Sequence, residues 1–245
     1  MTRMPHGPGR LRPALGPLLV GLALAAASLP GVAGLIAADP NHRALAASRL
    51  LDLAGHHALL AGSGLAAVCG LGIGLGILAT RPFAGAARSA IDGTAAVAQG
   101  VPPVVVVALA LPVLGFGGPP TLLALVAYGV MPTLRATAGA LDAVSADAKA
   151  AAVALGLTPR QVLTQVELPL AGPGILDAVR VALVLAVATT AVGALAGAAT
   201  LGTPIVAGLQ TQTVVPMLQG ASATAALAFL GDALIVAAAG WLRHG

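Results

Sequence analysis

The chain has 245 residues, of which 58% are hydrophobic and 8% charged, and its mean hydropathy is +0.97. Soluble domains carry roughly 25% charged residues, so an ordinary soluble domain is excluded. The net charge of +4 does not make it a nucleic-acid binder, because the cations form no cluster beyond the loose Arg3, Arg10 and Arg12.

Several apolar runs of about 20 residues are long enough to cross the roughly 30 Å hydrocarbon core of a bilayer. The fold expected is therefore all-α: a polytopic membrane protein with about six transmembrane helices. The short alternating segments of a β-barrel are missing. Residues 1–13 are polar, basic and rich in Pro and Gly, and read as a cytoplasmic tail. The apolar run 15–37 exceeds the 7–15 residues of a secretory signal core. It reads as a retained first span, kinked at Pro30-Gly31. Residues 39–57 form a polar external segment whose Leu50, Leu51 and Leu53 suggest a helix lying against the interface. With the first span it makes a unit 14–57, ahead of a core over 58–240 and a short tail over 241–245.

The second span, 58–79, carries Gly70, Gly72, Gly74 and Gly76. These make two overlapping Gly-x-x-x-Gly pairs, the spacing that lets helices approach closely in lipid. A loop with Arg81 and Arg88 leads to the third span, 94–114, interrupted by Pro102-Pro103 and Pro112. Such prolines serve either as packing kinks or as breaks facing a transport path. The fourth span, 121–138, delivers Arg135 to the inner face, and the fifth is 175–199. Residues 200–221 are less apolar and read either as an external gate helix or as a surface connection. The last span, 224–239, ends at Trp241, an interfacial anchor. Asp232 lies inside it. A carboxylate at that depth is costly, so Asp232 is either functional or packed against a polar neighbour.

Cations test this topology. With the N-terminus inside, Arg3, Arg10, Arg12, Arg81, Arg88, Arg135, Lys149, Arg160, Arg180 and Arg243 all fall on the cytoplasmic side, and only Arg43 and Arg49 fall outside. That is the asymmetry of the positive-inside rule. It places both termini and the stretch 144–173 in the cytoplasm.

That stretch reads as helix, turn, helix, break. The Ala-rich residues 147–155 favour helix, and Gly156 suits its end. Thr158 caps a second helix, with Pro159 at its first position and Gln161 completing a capping box. Leu168-Pro169 is expected to stop it, and Pro173-Gly174 to open the next apolar run. Ala152, Gly156 and Val162 also have the spacing of a DNA-binding helix-turn-helix. The second helix, however, offers Arg160 as its one cation, too little to neutralise phosphates.

No catalytic chemistry is legible. There is no Ser-His-Asp set, no paired carboxylates and no Walker-type loop. Cys69 stands alone in an apolar run, and the five histidines (His6, His42, His56, His57, His244) lack metal-site spacing. No enzyme, no catalytic residue and no metal site are expected. No internal repeat is evident, which argues against the inverted-repeat carriers. If the chain pumps, ATP must be hydrolysed on another subunit.

Ala150-Ala151-Ala152, then three residues, Gly156, nine residues, and Val166-x-Leu168-Pro169 resembles the EAA loop of bacterial ABC-importer permeases. The departure is Ala150, where that family has Glu. The stretch TPRQVLTQVELPLAGPGILDAVR, the following ALVLAVATTAVGALAGAATLG, the later LQGA, and the earlier GLGIGLGILATRP and AQGVPP resemble permeases of osmoprotectant (glycine betaine/choline/proline-type) ABC importers. The likeness spans about residues 55–232. It implies a multi-pass subunit of the bacterial inner membrane, working by alternating access. It implies a second permease copy or paralogue, a dimer of ATPase subunits holding ATP and Mg, and a separate periplasmic or lipid-anchored substrate-binding protein. No cofactor is expected on this chain. The resemblance assigns ATPase coupling to Ala150, Ala151, Ala152, Gly156, Leu168 and Pro169; Asp147, one helical turn before Ala150 on a similar face, is the candidate to stand in for the absent Glu. Pro102, Pro103 and Asp232 are the candidates along the path. At 2% aromatic residues the chain cannot build the cage that quaternary ammonium recognition usually needs, so cargo choice is assigned to the binding protein. The rival readings are the same machine with another cargo, such as an amino acid, and an ATP-independent channel or scaffold.

Overall fold

Inside hydrocarbon a backbone has no water to bond, so runs of Ala, Leu and Val satisfy their amides internally by forming helices. The computed structural model describes residues 12–37, 44–81 and 100–242, and no strand occurs among them. α1 (Arg12–Ala27) is followed by α2 (Pro30–Ala37), and the two are bent by 80° at the break. α3 (Ala47–Ala79) is the longest unbroken helix, with 33 residues. α4 (Pro103–Leu114) and α5 (Gly118–Asp142) are joined by a tight turn in which Gly115 and Gly117 adopt positive φ. α6 (Ala146–Ala154) and α7 (Pro159–Val162) form a hairpin. A π turn (Leu163–Glu167) then leads directly into α8 (Leu168–Val192). α9 (Gly202–Thr211) and α10 (Val214–Leu242) complete the chain.

Among the described residues four helices are long and apolar enough to cross a membrane: Ala47–Ala79, Gly118–Asp142, Pro159–Ala196 and Val214–Gly240. The bent pair α1–α2 is a fifth when counted as one broken span. Of the expected third span, the described part is α4, with residues 94–99 outside the described residues. Arg3, Arg10, Arg43, Arg88 and Arg243 also lie outside them.

The structure departs from the sequence reading at several elements. Residues 47–57 are not a separate interfacial segment; they are the first three turns of α3, which at about 1.5 Å per residue is about 50 Å long and outreaches the hydrocarbon core. At Pro102 and Pro103 the helix is interrupted: Gly100 is helical, residues 101 and 102 are not, and helix resumes at Pro103. Pro102 is the N-cap of α4 and Pro103 its first residue, where a ring with fixed φ and no N–H costs nothing. The outer segment 200–221 divides between α9 and the opening turns of α10. Leu168-Pro169 does not stop a helix either. The turn before it widens, with Leu168 N–H reaching the Leu163 carbonyl, and a π turn of this kind absorbs the proline within a continuous helix.

The core forms where α3 lies along α5. A Cβ added at Gly72 would stand 2.7 Å from Thr133 Cβ, and one at Gly76 would stand 2.7 Å from Thr137 Cβ. Gly70 and Gly74 face open space, so one of the two glycine pairs makes the close contact. Gly76→Leu is therefore expected to cost about 1–3 kcal/mol through overpacking, and Gly74→Leu to leave stability unchanged. Thermal unfolding of the two purified variants in detergent checks this. α8 packs on α5 and α3, while α10 packs on α1, α9 and α8.

Candidate functional site at the hairpin between α5 and α8

Local chemistry shapes the hairpin at each turn. Ser145 caps α6 by accepting from Ala148 N–H at 3.2 Å. Asp147 sits in the first turn, where a carboxylate favours the helix dipole. At the other end Gly156 has φ +83°, a conformation that disfavours any Cβ. Gly156 N–H bonds the Val153 carbonyl at 2.9 Å, and Leu157 N–H bonds the Ala152 carbonyl at 3.2 Å. These are the two bonds of a Schellman end. Thr158 then begins α7: its N–H donates to Gln161 Oε1 at 2.8 Å, and its Oγ1 accepts from Gln161 N–H at 3.4 Å. Two well-capped ends back to back make a stiff hairpin.

The candidate coupling residues divide into two groups. Asp147, Ala150, Ala151, Gly156 and Pro169 are exposed. Ala152 is buried and Leu168 half-buried. Leu168 packs with Leu163 and Ile77 on the cluster of Leu141, Val144 and Ala171, which seats the hairpin on the ends of α3 and α5. Beside the outward group stand Val153, 63% exposed, and Leu155, 81% exposed. Val153 lies on α6 and Leu155 is its C-cap, and a helix of nine residues is too short to be a span.

Sequence reasoning missed Glu167. It is the last residue of the π turn and is buried. Arg81 Nη2 donates to its Oε2 at 2.7 Å, and Lys149 Nζ stands 3.6 Å from its Oε1. The available signal was a lone acid among Val162, Leu163, Val166 and Leu168, which has to be paired if that face is buried.

The path candidates belong to separate helix pairs. Pro102 and Pro103 open α4, which packs on α5. Asp232 lies between α10 and α8, where Arg180 grips it with Nε at 2.6 Å and Nη2 at 3.1 Å. Arg180 also reaches Asp177 at 3.2 Å. Arg180 lies three turns into α8. A cleft of ≈ 200 Å³ between α5 and α8 is lined by Pro132, Thr133, Ala136, Gly174, Asp177 and Val181.

Two further polar side chains are fully buried near the opposite end of the bundle. His57 is inside α3 and not beside it. Leu201 N–H donates to its Nδ1 at 3.2 Å, so Nε2 carries the proton toward the Val187 carbonyl at 3.1 Å. Gln219 accepts from Leu45 N–H at 2.8 Å and donates to the carbonyls of Ser28, at 3.1 Å, and Leu45, at 3.2 Å. Nothing in the spacing of either residue announced these partners.

Residues 72–244 match the profile of the family described as binding-protein-dependent transport system inner membrane component. The chain belongs to this family. This permease is 34% identical over 186 residues to the osmoprotectant import permease protein OsmY of Salmonella typhimurium, an alignment covering 76% of this chain and 79% of that protein. It is 33% identical over 180 residues to the glycine betaine/carnitine/choline transport system permease protein OpuCD of Bacillus subtilis, covering 73% and 75%. In fold it matches a chain of the MetNI methionine ABC transporter in an inward-facing conformation, with a TM-score of 0.68 over 79% of this chain and 97% of that one at 19% identity. The permease is thus an all-α, multi-pass inner-membrane transport protein with the ABC importer permease fold.

Proposed function

We propose that this permease is the membrane subunit of an ATP-driven importer of a small compatible solute of the glycine betaine, choline or proline kind, working by alternating access. The observation that carries the coupling part is the stiff hairpin with an outward apolar surface, Val153 and Leu155, on a helix too short to cross a bilayer. A protein that docks there covers that surface, and a hairpin closed by two capped turns transmits a push without bending. The docking partner is an ATPase subunit dimer, which holds Mg and ATP. Asp147 supplies the charge on the docking face that Ala150 lacks. A second copy or paralogue completes the path, and a periplasmic or lipid-anchored binding protein selects and delivers the cargo. The cargo class rests on the names of the osmoprotectant and choline relatives. The cation asymmetry puts the hairpin and both termini in the cytoplasm.

The test is uptake of labelled glycine betaine, choline and proline, supplied together, into proteoliposomes holding the permease, its ATPase and its binding protein. Wild type is compared with Leu155→Asp. An exposed residue tolerates the change, but a charge in the centre of a docking face costs about 2 kcal/mol or more of association, about thirtyfold in affinity. ATP-dependent uptake by wild type, with ATPase and uptake both lost from Leu155→Asp, supports the reading. Uptake that persists without ATP identifies a channel. Binding-protein-stimulated ATP hydrolysis without uptake of any of the three solutes keeps the machine and rejects the cargo.

A further inference from the structure

Glu167 joins elements far apart in the chain, pairing with Arg81 and Lys149. Through Arg81 it holds the last turn of α3, since the same guanidinium donates Nε to the Ile77 carbonyl at 3.2 Å and Nη2 to Thr80 Oγ1 at 2.8 Å. Through Lys149 it holds α6 and the end of α5, because Nζ also donates to the Leu141 carbonyl at 3.1 Å. Glu167 itself stands at the junction with α8. The Glu167 side chain is 9% exposed, against 20% for Arg81 and 32% for Lys149. The π turn aims it. One extra residue in a turn shifts everything on one side by about 100° relative to an unbroken α-helix, and such turns concentrate at functional sites.

The apolar contacts of the hairpin base with Ile77, Leu141 and Ala171 hold it in place but fix no direction. A charge-assisted hydrogen bond is directional, and breaking a buried pair leaves an uncompensated charge. We infer that Glu167 is a positioning residue for energy coupling. It clamps the hairpin to α3, so that displacement of the hairpin is delivered along that unbroken helix to His57 and from there to the α8–α9 junction. This rests on the reading of the hairpin as the ATPase docking element.

The experiment uses the complete complex in proteoliposomes and reads uptake of the same three labelled solutes per ATP hydrolysed, together with the ATPase retained on purification. Glu167→Gln is expected to retain the ATPase and lower uptake per ATP by about tenfold, and Arg81→Gln to do the same. Because the two act as one unit, the double variant is also lowered about tenfold and not a hundredfold. A purely structural role lowers the amount of assembled complex and leaves the ratio at its wild-type value; that result overturns the inference. So does a multiplicative double variant. Leu155→Asp separates the two readings. If it retains the ATPase and transports normally, the docking reading falls and takes the clamp with it. If it loses the ATPase while Glu167→Gln keeps the wild-type ratio, the clamp alone falls. If wild type takes up none of the three solutes, the cargo reading falls, and binding-protein stimulation of ATP hydrolysis decides the clamp: it is lowered in Glu167→Gln if the clamp holds and unchanged if the clamp falls.

Discussion

Replacing Arg180 by Leu is expected to cost the folded permease about 3–5 kcal/mol, because it abandons Asp232 between α10 and α8. The Asp232 side chain is 14% exposed and receives the guanidinium through two nitrogens, Nε and Nη2. With Arg180 gone, the carboxylate is left without its partner in a poorly solvated helix interface, which costs free energy. Asp232→Leu is milder, because Arg180 keeps Asp177 at 3.2 Å and is itself partly exposed. The double variant Arg180→Leu/Asp232→Leu restores most of the loss, as replacing both partners of a buried pair commonly does. Thermal unfolding in detergent of the two singles and the double completes the cycle. Uptake by the double variant then decides what Asp232 is for. Normal transport makes the pair a pin between helices, whereas a stable but inactive protein returns Asp232 to the path.

Gln219→Leu is expected to cost about 3 kcal/mol while changing side-chain size very little. Gln219 is fully buried, and its amide serves Leu45 N–H, the Leu45 carbonyl and the Ser28 carbonyl. Leaving a buried backbone group unpaired costs about 1–3 kcal/mol, and three groups are abandoned, of which those at half-buried Leu45 recover part of the loss from water. Gln219→Glu is expected to do no better at neutral pH. An ionised carboxylate still accepts from Leu45 N–H but faces two carbonyl oxygens without a proton to give. Hydrogen exchange locates the effect: the Leu45 amide loses protection in Gln219→Leu, and amides of the α3–α5 contact keep theirs. Equal protection of Leu45 in wild type and Gln219→Leu would remove the basis of this prediction.

The hairpin was legible because its signals are local. Thr158 with Gln161, and Gly156 after an Ala-rich run, act within a few residues, and the structure builds the cap and the left-handed turn they specify. The apolar runs identified the membrane class for the same reason. Helix ends were less legible, since α3 continues through the polar residues Arg49, Asp52 and His56, where propensity allows helix and only hydropathy changes. Pro169 was misread because a proline stops an isolated helix, and the widened turn that accommodates it has no composition of its own. Glycine spacing alone did not distinguish the Gly72/Gly76 face from the Gly70/Gly74 face, which depends on where α5 lies. Glu167 with Arg81 and Asp232 with Arg180 are 86 and 52 residues apart. A single sequence carries no record of which distant charge meets which.

One contact bears on how the permease is made. α1, the first of the described helices, packs on α10, the last of them, so closely that a Cβ at Gly21 would stand 2.8 Å from Leu230 Cγ. Its other side shows Leu15, Leu18, Leu19 and Leu22, a surface suited to lipid. A ribosome adding 5–20 residues per second takes roughly 10–40 s to proceed from the end of α1 to the end of α10. During that interval α1 stands in the bilayer as a lone helix, held by its hydrophobicity and not by packing. Any truncation ahead of Val214 leaves it there permanently, exposed to membrane proteases that clear orphan helices. α1 waits in the bilayer for a partner made roughly 200 residues after it.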